Sequence, residues 1–118
     1  MRYLCLVYGE EKKLDAMPGR EYDALVAEHL AYDDELRESG HFIVAEALES
    51  VKAATTIRVR NGKLSTTDGP FAETKEQLTG FYLIDASDLN DALQVAAKIP
   101  SARVGCIEVR SIRDLNES

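Results

Sequence analysis

Residues 2–8 (RYLCLVY) carry apolar side chains on both alternating faces, and this run limits the fold more than any other. Successive side chains of a strand point to opposite sides of its sheet. A strand that is apolar on both sides therefore needs cover on both, and it reads as an interior strand. Residues 80–85 (GFYLID) repeat the pattern. The chain has to supply, or recruit, packing for two faces of one sheet.

The remaining segments fall into order around these two strands. A polar stretch with Gly and Pro runs from Gly9 to Gly19. Residues 21–38 then place Tyr22, Leu25, Val26, His29, Leu30, Asp33 and Leu36 at three- and four-residue steps, which predicts a helix. Gly40 is its natural stop. Residues 41–48 (HFIVAEAL) read as a second strand. Residues 55–60 alternate, with Ile57 and Val59 on one face and Arg58 and Arg60 on the other. Asn61-Gly62 follows, a strong two-residue hairpin signal, and 63–67 is the returning strand. After the strand at 80–85, Ser87 or Asp88 caps a helix whose expected buried stripe is Leu89, Ala92, Leu93 and Ala96. Pro100 ends that helix, and 104–112 (VGCIEVRSI) is a closing strand before a polar tail.

The order is thus β-α-β, a hairpin, then β-α-β, in one α+β domain spanning 1–118. Two helices cover one face of such a sheet. The other apolar face calls for a second copy related by a two-fold axis, so a homodimer is expected.

Composition narrows the functional classes. With 45% of its 118 residues apolar, the chain can bury a core without disulfides or metal. A net charge of −7 with scattered Lys and Arg argues against nucleic acid as a partner. No run approaches a membrane span and no signal peptide is visible, so a cytoplasmic protein without a membrane partner is expected. Cys5 and Cys106 share no metal spacing and both sit in apolar runs, where a thiol ordinarily packs as a small core residue. Glycine-rich phosphate loops, metal-binding His motifs and nucleophile elbows are missing, so neither a cofactor nor a metal is expected.

Two places can carry chemistry. The first is Asp68–Glu76 (DGPFAETKE). Asp68 can turn its carboxylate onto nearby backbone, Pro70 stiffens the loop, and Phe71 can anchor it in the core. Glu73, Thr74, Lys75 and Glu76 gather two carboxylates, a hydroxyl and an ammonium. Spacing alone equally allows a charged, solvent-facing connector. The second is His29, one helical turn before Asp33, where a carboxylate can hold an imidazole as a base near neutral pH. A partly buried structural histidine fits the same spacing. Tyr82, Tyr8 and Tyr32 could present hydroxyls to a cleft or simply pack. His41, at a strand start, reads as a surface residue.

Residues 67–81 (TDGPFAETKEQLTGF) closely resemble the signature of the DGPF, or DGPFAETKE, group of the YCII-related proteins. The opening RYLCLVYG, AEAL at 45–48, FYLID at 81–85 and IEVR at 107–110 are similar as well, so the likeness covers nearly the whole chain. The resemblance implies a ferredoxin-like βαβ-ββ-βαβ fold assembled as a dimeric α/β barrel, with a cleft for small organic molecules. It implies an acid–base role for His29, in the context Glu28-His29-Leu30, together with an aspartate. Some broader relatives resemble enzymes acting on chlorinated or lactone-like rings. The signature implicates Asp68, Glu73, Thr74 and Lys75; catalytic roles are expected for Asp68, Glu73 and Lys75, and substrate binding for Thr74, Phe71, Tyr82 and Asp33. Three functions fit: a cofactor-free acid–base enzyme on a small polar molecule, a non-catalytic small-molecule-binding or regulatory dimer, and a protein-interaction module.

Overall fold

The computed structural model describes residues 1–116, so Glu117 and Ser118 at the end of the expected polar tail lie outside the described residues. In chain order it comprises β1 (Arg2–Gly9), α1 (Glu11–Ala16), α2 (Gly19–Ser39), β2 (Phe42–Ala47), β3 (Thr55–Arg60), β4 (Lys63–Asp68), β5 (Gln77–Asp85), α3 (Leu89–Ala97) and β6 (Cys106–Ser111). Short 3₁₀ turns stand at Val51–Ala53 and Pro100–Arg103. The main sheet has four strands in the order β2-β5-β1-β6, and every pairing in it is antiparallel. β3 and β4 form a separate two-stranded ribbon. This mixed α+β arrangement is compatible with a ferredoxin-like fold.

Local chemistry sets the boundaries. Asn61 and Gly62 both adopt positive φ, which is what a tight two-residue hairpin needs between β3 and β4. Gly40 closes α2 in the left-handed conformation, its N–H reaching the carbonyls of Leu36 and Arg37. Asp88 caps α3 by accepting from the Asp91 N–H at 2.8 Å. Residues 11–16 form α1 inside the polar Gly- and Pro-containing stretch, for which the sequence predicted no helix. The Glu11 carboxylate explains its placement, since it accepts from the Ser50 hydroxyl and the Val51 N–H, both at 2.8 Å.

One face of the sheet carries Tyr3, Cys5, Val7, Tyr82 and Ile84, and it packs on α2 and α3 to make the core. Burial pushes the Cys5 thiol up to about 11, the behaviour of an inert packed cysteine. The helices are tied together where the Tyr32 hydroxyl donates to the Val95 carbonyl at 2.6 Å. Leu4, Leu6, Val44, Phe81 and Leu83 point the other way, away from the helices, and are half-buried. The double-sided apolar pattern of β1 and β5 is thus real, while only one of the two faces lies against helices. Gly105 precedes β6, where a Cβ would collide with the Tyr8 carbonyl oxygen.

Four sequence expectations need correction. Leu89 and Leu93 are exposed, because α3 rests on the sheet through Ala92, Val95 and Ala96, small residues that allow close approach. Cys106 is exposed, because it pairs with Tyr8 on the face that the helices leave open. Phe71 does not anchor in the core and is 81% exposed. Gly69 is held by Ala54 and Thr56, which fastens the start of the loop to the ribbon and leaves Phe71 without a wall to pack on. His41 is half-buried rather than a surface residue, bonded through Nδ1 to Ser39 and through Nε2 to Asp91. That contact, after the Ser87 N–H, holds the Asp91 carboxylate below its ordinary range.

Candidate functional site

The apolar stripe of α2 is wider than the core requires. Leu25, Tyr32 and Leu36 are buried, whereas Tyr22, Val26 and Leu30 remain exposed. The surplus lines a cleft of about 670 Å³, bounded across from α2 by β2, β5 and the segment leading to Ser50. A bulge in β5 between its pairings with Val7 and Tyr8 leaves Thr79 out of register, and Thr79 lines the cleft as well.

His29 lines this cleft. Its Nδ1 lies 2.7 Å from the Tyr82 hydroxyl, and its Nε2 lies 2.7 Å from Oγ of Ser101. The His29 and Tyr82 rings stack with centroids 6.1 Å apart. Burial lowers the His29 pKa below its ordinary value of 6.5, with Asp33 and Glu28 pulling the other way. The imidazole is therefore neutral at physiological pH, the form in which it can accept a proton. Tyr82 is only 4% exposed; burial foremost, and then the charge of Asp33 beside it, hold its phenol far above the ordinary range. It is a fixed neutral hydroxyl. Asp33 lines the same cleft, and its Oδ1 is sealed from solvent without a hydrogen-bond partner among the described residues.

Ser101 sits in the 3₁₀ turn Pro100–Arg103, which Pro100 opens. Arg103 forms a 2.8 Å ion pair with Glu28, the neighbour of His29, and this fastens the turn to α2. The pair is partly exposed, so its value is positional more than energetic. No spacing rule links Ser101 to His29 across 72 residues, and the sequence reading missed it.

The expected site residues thus divide into two sets. His29, Asp33 and Tyr82 converge on one cleft. The contact differs from the expected direct His29–Asp33 pair, because both ring nitrogens face hydroxyls. Asp68, Phe71, Glu73, Thr74 and Lys75 are all exposed and do not line that cleft. Lys75 pairs with Glu10 at 3.4 Å, and the Thr74 hydroxyl donates to the Glu76 carbonyl at 2.6 Å. Among the described residues no group of three or more His, Cys, Asp or Glu is arranged to hold a metal ion, and no helix is long and apolar enough to cross a membrane.

The fold and site define a class of small α+β domain with one helix-covered sheet and a cleft lined by a histidine. Within that class, residues 1–116 match the YCII-related domain, and the chain belongs to that family. It is 37% identical over 114 residues to an uncharacterized protein of Rhizobium meliloti (strain 1021), an alignment covering 95% of this chain and 92% of the relative.

The lowered pKa of His29 has a consequence for stability. As pH falls through 6.5 the unfolded chain takes up a proton that the folded chain refuses, so stability is lost from that value downward to the folded pKa. His29→Gln removes this contribution. Urea unfolding between about pH 7 and about pH 5 should show a shallower loss of stability in the variant than in the wild type. Parallel profiles would mean that His29 is not held neutral by burial.

Proposed function

We propose that this protein is a cofactor-free acid–base enzyme acting on a small polar molecule in the α2–β5 cleft, with His29 as the base. One observation carries the reading: a neutral, half-buried imidazole with both nitrogens in 2.7 Å contact with hydroxyls, on the wall of a cleft large enough for a small organic ligand. A proton leaving the substrate reaches His29 through a hydroxyl, and a positioned relay of this type contributes about 10²–10⁴-fold.

The walls narrow the substrate. Glu11, Asp15, Asp33, Glu46 and Glu49 line the cleft, and no Lys or Arg of the described residues joins them. A negative field of this kind favours a neutral or cationic molecule over an anion. The chemistry is assigned to His29, Tyr82 and Asp33 rather than to Glu73 and Lys75, which belong to the exposed loop. We further place the chain in the DGPF-signature group on its unbroken DGPFAETKE run. A second copy is the proposed cover for the open face of Leu4, Leu6, Val44, Phe81 and Leu83, giving a homodimeric α/β barrel.

Two measurements test these readings. In D₂O, dihydroxyacetone and glycinamide, both with exchangeable carbon-bound protons, should exchange them faster with the protein than with buffer. His29→Asn should cut that excess by about 10²-fold or more. A molecule of this panel that raises the melting temperature yet keeps its protons in the wild type would favour the binding-module alternative. Sedimentation velocity at micromolar concentration should return the mass of a dimer; a clean monomer would overturn the proposed assembly.

A further inference from the structure

We infer that Ser101 is a nucleophile, and that the cleft carries out acyl transfer from a neutral or cationic ester through an acyl-Ser101 intermediate. The inference rests on the acid–base reading of His29 and goes one step beyond it.

Its basis is the number of partners at the imidazole. His29 has two ring nitrogens, and each is already within 2.7 Å of a hydroxyl. The base therefore cannot meet a substrate directly in this arrangement; a hydroxyl stands between them. Tyr82 is buried in the core cluster. Ser101 is only half-buried, and it lines both the large cleft and a second one of about 270 Å³. Thr79 and Leu14 line both as well, so Ser101 stands in the wall between two spaces.

Proton order follows from charge. The Tyr82 hydroxyl has one proton and one hydrogen-bond neighbour, Nδ1 of His29, with the charge of Asp33 nearby. A carboxylate charge attracts the hydrogen end of a nearby O–H dipole even where no hydrogen bond forms. The charge of Asp33, whose sealed Oδ1 has no hydrogen-bond partner among the described residues, orients the Tyr82 hydroxyl dipole with its hydrogen away from Nδ1. The Tyr82 oxygen then accepts from the Nδ1–H of His29. This leaves the Nε2 lone pair to accept from Ser101. The arrangement is a serine, a histidine that takes its proton, and an acidic group that orients the histidine through a tyrosine, which is the logic of an activated nucleophile.

The step balances without a further reagent. Oγ of Ser101 bonds to the ester carbonyl carbon while its proton moves to Nε2. The carbon–oxygen bond to the leaving alcohol breaks, and that oxygen takes the proton from Nε2. Water then attacks the acyl-serine with His29 as base, Oγ recovers a proton, and a carboxylic acid departs.

A fluorophosphonate probe tests this on the whole folded protein, read by intact mass and peptide mapping. One adduct per chain on Ser101 is expected. Ser101→Ala should abolish it, and His29→Gln should slow it by about 10²-fold or more. A matched circular dichroism spectrum and melting temperature for Ser101→Ala, together with Ser101→Cys labelled by a neutral alkylating agent, separate a lost nucleophile from a lost fold. No adduct on Ser101 in folded wild type, or an equal rate in His29→Gln, overturns the proposal. Failure to label while carbon–proton exchange persists removes the nucleophile alone; failure of both removes the acid–base reading as well.

Discussion

A phenol hydroxyl as deeply buried as that of Tyr82 has to find a polar partner, because leaving it unpaired costs on the order of 1–3 kcal/mol. In this chain the partner is Nδ1 of His29. That one contact joins the core to the site. The ring of Tyr82 lies among Cys5, Tyr32 and Ile84 in the buried cluster, while its oxygen meets the imidazole at the cleft wall. The rigidity of a packed strand is thereby passed to a histidine on a helix, and from there to Ser101 on a turn. Positioned groups on regular elements hold geometry better than groups on loops.

The cleft itself arises from an imbalance in packing. α2 is 21 residues long, yet Leu25, Tyr32 and Leu36 suffice to seat it. The flanking Tyr22, Val26 and Leu30 have no core to enter, and they form an apolar wall instead. Carboxylates ring that wall, and a chain of net charge −7 supplies them from several elements. An apolar pocket with few convergent polar groups is the usual form of a small-molecule site.

Much of this was legible in the sequence. The hairpin followed from Asn61-Gly62, the end of α2 from Gly40, and the interior position of β1 and β5 from their two-sided apolar pattern. His29 and Asp33 were readable as cleft candidates because they share a helix face, and Tyr82 as an aromatic with a usable hydroxyl. Ser101 was not readable, since its pairing with His29 exists only once the turn at Pro100 packs against α2. The buried stripe of α3 keeps Ala92 and Ala96 of the expected set but not Leu89 and Leu93, because alanines outrank leucines where a helix approaches a sheet closely. The Asp68–Glu76 segment was the loudest sequence signal, yet its charged side chains are exposed and stand apart from the cleft of His29. Composition marks a loop as distinctive; only packing says which groups it meets.

The central claim is that His29 is a neutral base whose proton sits on Nδ1, donated toward Tyr82, with Nε2 free to accept from Ser101. The chain has two histidines, so a ¹H–¹⁵N correlation of the imidazole rings, assigned with a His41→Gln variant, reads this directly. The expected spectrum at neutral pH is the Nδ1–H tautomer for His29, with protonation only below 6.5. An Nε2–H tautomer, or an imidazolium at neutral pH, would contradict it.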